Sequence, residues 1–83
     1  MLDRIRPNPA NPIILIEYTI AGSDFVQLDI LDENGVRIET LANGYHRKGA
    51  HCAAWSIRNR PAGTYWYELR YRDFSEKKRL VIT

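Results

Sequence analysis

The chain has 83 residues, of which 45% are hydrophobic and 27% are charged, and its formal net charge is +2. This length allows one small domain, and the composition is that of a globular protein rather than a disordered chain. The longest apolar run, residues 12–16, is far shorter than the ~20 residues of a spanning helix, and the dispersed basic residues do not form a nucleic-acid footprint. We therefore expect a single domain over residues 1–83, with no transmembrane segment and no nucleic-acid partner.

The first twelve residues are predicted to lead into the strands of residues 13–83. Apolar residues at two positions indicate a weak edge strand from Leu2 to Arg6. Half of residues 7–12 are proline, which fixes φ and removes a backbone donor, so we expect an extended lead-in with local turns rather than a helix or a central strand. No apolar stretch follows the charged residues at the start, so the protein is expected either to stay inside the cell or to be part of a longer secreted chain.

Alternating apolar residues predict two strands in the first half of the chain. Ile13 to Ile20 and Phe25 to Leu31 both carry large apolar side chains at alternate positions. An extended backbone places alternate residues on one face of a sheet. Each strand is therefore expected to contribute one buried face to the core.

The clearest turn signal is a group of residues that favour tight turns, namely Asp32, Asn34 and Gly35. Asn-Gly tolerates positive φ, and the group lies between two alternating runs, so a hairpin is predicted there. We expect Asp32 to accept local backbone donors. The returning strand is predicted over residues 36–41, with Val36 and Ile38 facing the core.

A fourth strand is predicted around Trp55. Asn-Gly at 43–44 indicates a loop over residues 42–48, and alternation from His51 to Trp55 follows it. Small residues on the other face of this strand indicate close packing or a sheet edge. Cys52 is the single cysteine, so it excludes an internal disulfide, and we expect it to be a small buried residue.

The segment from Ala62 to Tyr71 is predicted to be the central strand. Its alternate positions carry four large side chains, Tyr65, Tyr67, Leu69 and Tyr71. Aromatic residues suit a pleated, half-buried surface. A turn over residues 72–76 is expected to lead into a last strand from Lys77 to Thr83.

These elements give six or seven short strands about ten residues apart, with no helical period. The compact arrangement is an all-β fold, an antiparallel, immunoglobulin-like β-sandwich. A small barrel is the structural alternative.

The residues that carry most enzyme chemistry are sparse. His46 is assigned to a loop and His51 to the start of a strand. If that strand began early enough to include both, their five-residue separation would put the side chains on opposite faces, so a shared metal is not expected. Asp29, Asp32 and Glu33 gather near one hairpin without the alternating oxygen ligands of a calcium loop, and no glycine-rich phosphate loop is present. We therefore predict that the chain is not an enzyme and holds no metal or cofactor.

Two aromatic residues are candidate ligand contacts. Trp66 faces away from the four large side chains of the central strand, and Tyr45 lies in the predicted loop. An exposed aromatic ring can stack on a sugar or dock a partner. The more frequent arrangement is a Trp66 ring covered by a neighbouring strand or a long Arg stem.

An ordered series of motifs resembles a known family. The series runs Pro7-Asn8-Pro9-x-Asn11-Pro12, Ile16-x-Tyr18-x-Ile20, Val26-x-Leu28-x-Ile30-x-Asp32-x-x-Gly35-x-x-Ile38-x-x-Leu41, Gly49-x-His51-x-x-x-Trp55 and Pro61-Ala62-Gly63-x-Tyr65-x-Tyr67-x-Leu69. A basic strand closes the series. Over residues 7–83 the chain resembles the C-terminal sorting domain of proteins exported by the type IX secretion system of Bacteroidetes, and it is similar to the related immunoglobulin-like domain of flagellar hook-capping proteins.

This resemblance implies a non-enzymatic module that directs an upstream cargo domain of the same chain through the periplasm to the cell surface or medium. It implies two partners, an outer-membrane translocon that recognises the domain and a sortase-like peptidase that removes it. Recognition would lie in the last strands, at Gly63, Tyr65, Lys77, Lys78 and Arg79. The alternatives are an accessory structural module that binds a carbohydrate or protein through Trp66 and Tyr45, and an assembly domain like those of hook-capping proteins.

Overall fold

The computed structural model describes residues 1–8 and 12–83. Within them the chain forms seven strands: β1 (Leu2–Asn8), β2 (Ile13–Ile20), β3 (Asp24–Leu31), β4 (Arg37–His46), β5 (Gly49–Ser56), β6 (Gly63–Tyr71) and β7 (Phe74–Ile82). No helix long and apolar enough to cross a membrane occurs in the described part of the chain. The predicted extended lead-in before residue 13 is shorter than expected, because β1 continues through Pro7 to Asn8. Residues 9–11 of this predicted lead-in lie outside the described residues.

The strands form two antiparallel sheets. One has the order β1-β2-β5 and the other the order β4-β3-β6-β7. The predicted antiparallel β-sandwich is therefore confirmed, and the separate sheets decide against a barrel. In the constant-type immunoglobulin arrangement the fourth strand pairs with the fifth, whereas here β4 pairs with β3. Proline is tolerated at Pro7 because β1 is an edge strand.

The core lies between the two sheets and is built from the alternating faces of the strands. On β6 the four large side chains predicted to share a face are all buried, and Trp55 on β5 is fully buried with them. Burial of each such side chain contributes roughly 1.5–3 kcal/mol. The alternation read from the sequence therefore identifies the inner face of the central strand, which fixes the outer face as well.

Strand β4 differs most from the prediction. The expected loop over residues 42–48 is wrong for its first five residues, because β4 continues to His46 and Gly44 pairs with Val26. An edge strand can include Asn-Gly in extended conformation. The register shifts twice between β3 and β4, so Ile38 and Leu41 lie at irregularities and both pack against the core.

The turn from β3 to β4 is held by the Asp32 side chain. Its Oδ1 accepts hydrogen bonds from the backbone N–H groups of Asn34 and Val36, both at 2.9 Å. Gly35 has φ +86°, which glycine adopts without strain. The inward orientation predicted for Val36 is wrong, since this side chain is 59% exposed and its backbone belongs to the turn.

The last hairpin is tighter than expected. Only Arg72 and Asp73 form the turn between β6 and β7, and Arg72 has φ +55°. Tyr71 pairs with Phe74, so β7 begins where the sequence predicted a longer turn. The earlier start brings the basic residues of β7 into register with the middle of β6.

Candidate functional site

The basic run of β7 is divided between two directions. Lys77 and Arg79 lie on the outer face of the four-stranded sheet and are exposed. Lys78 points to the opposite side, where its Nζ donates a hydrogen bond to the Leu2 carbonyl oxygen at 3.1 Å and lies 3.9 Å from a Glu76 carboxylate oxygen. Lys78 therefore ties β7 to β1 of the other sheet, and the predicted trio does not form one surface.

Trp66 lies beside these residues on the outer face. Its neighbours in register are Leu31 on β3 and Arg79 on β7. The Lys77 ammonium lies 5.3 Å from the centroid of the indole ring, which is a cation–π distance. Trp66 is half-buried, and the Lys77 ammonium lies over its ring, where the sequence suggested a neighbouring strand or a long Arg stem.

Gly63 and Tyr65 lie in the fold rather than on this surface. Tyr65 is 7% exposed, its hydroxyl donates to the Pro61 carbonyl oxygen at 2.7 Å, and its ring meets Trp55 edge to face at 5.5 Å between centroids. Gly63 opens β6 with φ +148°, a conformation that side chains rarely adopt. Both residues position β6 and through it the outer face.

Tyr45 belongs to another part of the same sheet. It is 63% exposed and packs edge to face with Phe25, with 5.8 Å between ring centroids. Along β3, Phe25 and the Leu31 neighbour of Trp66 are six residues apart, which is roughly 20 Å in a strand. The structure therefore does not bring Tyr45 and Trp66 together into one ligand site.

A buried carboxylate lies beneath the middle of the outer face. Asp29 is 1% exposed, and it accepts hydrogen bonds from Gln27 Nε2 at 2.9 Å, Thr40 Oγ1 at 2.8 Å and Arg70 at 2.9 Å. Partners on three strands satisfy its oxygens. Sequence reasoning missed this network, because pairing of β3 with β4 and β6 brings its members together and the alternation within β3 gives no sign of it.

Four residues form a row across the outer face of this sheet. Arg37 pairs with Leu31, Leu31 with Trp66, and Trp66 with Arg79. Arg37 and Leu31 of this row line a surface depression of about 520 Å³, which is also lined by Val36, Lys77, Arg70 and the carboxylates Asp29 and Glu68. We call the set Arg37, Leu31, Trp66, Lys77 and Arg79 the outer basic patch.

The basic groups of the outer basic patch form no ion pair among the described residues, and the carboxylate nearest in register is Glu68, opposite Lys77. Within the described residues, neither Arg37, Lys77 nor Arg79 has a carboxylate at ion-pair distance. Arg37 was not predicted as a site residue. No local signal marks it, since the two register shifts between β3 and β4 determine which β4 residue lies beside Leu31.

The two histidines lie together, contrary to the prediction. Their ring centroids are 4.7 Å apart, and His46 Nε2 lies 2.8 Å from the Tyr18 hydroxyl. The predicted separation is wrong because β4 ends at His46 and the chain turns before His51, so the two are not on one strand. Among the residues that the structure describes, no group of three or more His, Cys, Asp or Glu is placed to hold a metal ion.

The prediction for Cys52 is also wrong, because this side chain is exposed. It lies on the outer face of β5, opposite Glu17 in register. The alternation within β5 sends His51, Ala53 and Trp55 inward, so Cys52 faces outward. The predicted sheet edge is confirmed, since β5 ends the three-stranded sheet.

Taken together, these observations describe a small β-sandwich with a row of exposed basic side chains on the outer face of one sheet. The family described as "Secretion system C-terminal sorting domain" matches residues 4–83, and the chain belongs to this family. It is thus a sorting module for type IX secretion, which makes its protein a secreted or cell-surface protein. No curated protein and no solved structure matches the chain.

Proposed function

We propose that the module acts without catalysis of its own and is recognised by the outer-membrane translocon through exposed basic residues of β7. The observation that carries this proposal is that Lys77 and Arg79 lie side by side on the outer face with no carboxylate partner among the described residues. An unneutralised basic surface attracts a negatively charged partner and speeds its encounter. The type IX sorting role of the family makes the secretion machinery the expected partner.

The proposal narrows the predicted recognition set. Gly63 and Tyr65 act by holding β6 in place, because Gly63 provides the positive φ at the start of the strand and the Tyr65 side chain is buried. Lys78 contributes to stability through the Leu2 carbonyl oxygen. Lys77 and Arg79 remain as the residues of the last strand that contact the translocon.

The remaining steps follow from the resemblance. An upstream cargo domain passes through the periplasm with the module attached, and a sortase-like peptidase then removes the module at the cell surface. The sorting role of the family supports the view that the module is a substrate of that peptidase and not itself an enzyme. Glycan binding by Trp66 or Tyr45 and self-assembly like that of hook-capping domains stay predictions.

The test is export of a signal-peptide-bearing fluorescent protein fused upstream of residues 1–83, in a Bacteroidetes strain with a working type IX system and in its translocon-null sibling. We expect extracellular reporter in the first strain and periplasmic reporter in the second. Export in both strains, or in neither, would contradict the sorting role.

Matched variants of the same fusion test the residues. Lys77→Ala combined with Arg79→Ala should retain the reporter in the periplasm, whereas Lys78→Ala should be exported as long as the domain is folded. Thermal unfolding of the purified domains gives the folding control. Normal export of the double variant would remove Lys77 and Arg79 from the recognition surface.

A further inference from the structure

We propose that the outer basic patch is a docking surface for an extended acidic segment of a protein partner, with a carboxylate at each end and an apolar side chain between them. This inference rests on the proposed function and specifies the chemistry of the partner. It adds Arg37, which lies outside the last strands, to the contact surface. It also assigns the half-buried Trp66 the apolar centre of that surface, with Leu31, which is only 7% exposed, beside it in register.

The spacing of the row determines the length of the segment. Arg37, Leu31, Trp66 and Arg79 are register neighbours on four adjacent strands. Adjacent strands are about 4.8 Å apart, so the two arginine backbones are separated by roughly 14 Å. Four residues of extended chain cover the same distance at about 3.4 Å each. Acidic residues at positions i and i+4 of the partner would therefore meet the two arginines, and residue i+2 on the same face would meet the centre.

The charge of the patch determines the sign of the partner. Some basic residues elsewhere on the surface are compensated, as when Glu17 bonds to both Arg4 and Arg6 or Asp24 to Arg72. Among the described residues Arg47, Lys48 and Arg58 are exposed without an ion pair, but no aromatic or aliphatic neighbour joins them into a row across a sheet. Arg37, Lys77 and Arg79 have no such partner within the described part of the chain. A carboxylate placed there would form new charge-assisted hydrogen bonds without displacing an internal one.

The arrangement favours a peptide over a phosphate group or an anionic lipid surface. A single phosphate is bound by donors that converge on it, whereas these two arginines are separated by the buried Leu31 and the half-buried indole of Trp66. Aromatic residues and arginine are enriched at the centres of protein interfaces. Val36, which is 59% exposed at the rim of the depression, extends the apolar surface.

The binding test is a nuclear magnetic resonance titration of the chain with the synthetic peptide acetyl-Glu-Thr-Leu-Thr-Glu-amide. We expect shifts confined to residues around the patch, at least tenfold weaker binding of the Gln-Thr-Leu-Thr-Gln control peptide, and a comparable loss for Arg37→Glu. Arg58→Glu, a charge reversal at an exposed position between β5 and β6, should bind as the unchanged chain does. Equal binding of both peptides, or shifts spread over the surface, would overturn the proposal.

A vesicle arm separates the two kinds of anion. Co-sedimentation with phosphatidylglycerol vesicles that is lost in Arg37→Glu and not displaced by the acidic peptide would overturn the peptide proposal in favour of a lipid surface. Absence of vesicle binding, together with the peptide shifts, would support it.

The export fusion separates this inference from the proposed function. Retention of Arg37→Glu in the periplasm with export of Arg58→Glu would support the docking surface. Export of both would overturn it while the sorting function stands. Retention of the unmodified fusion would overturn the sorting function and with it the translocon role of the patch, and the peptide titration would then decide the docking chemistry alone.

Discussion

On the outer face of the three-stranded sheet, Arg4 and Arg6 both bond to Glu17, and Thr19 donates a hydrogen bond to Asp3. On the outer face of the four-stranded sheet, the buried Asp29 engages Arg70, while Arg37, Lys77 and Arg79 lack carboxylate partners among the described residues. On the first face the two arginines are matched by the two acidic residues Asp3 and Glu17, whereas three basic residues of the second face form no ion pair in the described part of the chain. The difference is in the compensation of charge, since only the second face offers charge to a partner.

This comparison explains why such charges can remain unpaired without much cost. An exposed ion pair contributes about 0–1 kcal/mol to stability, so a fold loses little by leaving exposed basic groups single. The same groups matter for association, because unneutralised charge accelerates and orients encounters. The low cost of unpaired exposed charge therefore leaves this face free for the recognition role proposed above.

The largest effect is expected from the two tryptophans, because Trp55 faces the core from the three-stranded sheet and Trp66 lies on the outer face of the four-stranded sheet. Trp55→Ala removes a fully buried ring and should lower the free energy of unfolding by about 3–5 kcal/mol. Trp66→Ala removes a half-buried ring and should cost about 1 kcal/mol. Urea denaturation followed by circular dichroism measures both. Equal losses would mean that Trp66 belongs to the core and not to a recognition surface.

Asp29 and Asp24 both bond to an arginine, so substituting each in turn compares the stability contributed by a buried and by an exposed carboxylate. Asp29→Ala leaves Thr40, Gln27 and Arg70 without their shared acceptor and should cost about 1–3 kcal/mol. Asp24→Ala removes an exposed partner of Arg72 and should cost less than about 1 kcal/mol. The same denaturation measurement applies. A larger loss for Asp24 would contradict the assignment of Asp29 as the structural carboxylate.

The ion pairs on the outer face of the three-stranded sheet should make the stability of the protein sensitive to acid. Partial desolvation raises the pKa of Glu17, but hydrogen bonds and charges of Arg4 and Arg6 outweigh it and hold the pKa below its usual value. A carboxylate with a lowered pKa in the folded state stabilises the fold above its unfolded pKa and loses this contribution as pH falls through the folded one. Stability should therefore decline below about pH 4.5, and less steeply in Glu17→Gln. Unfolding midpoints of the unchanged chain and of Glu17→Gln are measured between pH 3 and pH 7. An identical dependence on pH in the two proteins would show that Glu17 does not cause the loss of stability in acid.

The smallest effect is expected at Cys52. Because this thiol is exposed on β5, a thiol reagent should modify it fully in the native protein. Cys52→Ser should change the free energy of unfolding by less than about 0.5 kcal/mol. Protection of the thiol under native conditions would show that the outer face of β5 is covered in solution.

The sequence allowed prediction of what depends on local alternation. The buried faces of β2, β3 and β6 follow from a period of two residues, and the turn at Gly35 follows from its tolerance of positive φ. The site depends on pairing between strands, which alternation does not specify. Arg37 reaches the row through register shifts, Lys78 leaves it through contact with the other sheet, and His46 meets His51 because the chain turns between them.

The most direct test of the account compares export of two triple variants with the same net charge. Arg37→Glu, Lys77→Glu and Arg79→Glu reverse the outer basic patch, and Arg47→Glu, Lys48→Glu and Arg58→Glu reverse exposed basic residues elsewhere. With both domains shown to be folded, we expect the first fusion to stay in the periplasm and the second to be exported like the unchanged chain. Equal export of the two would contradict this expectation, because recognition would then not depend on the outer basic patch.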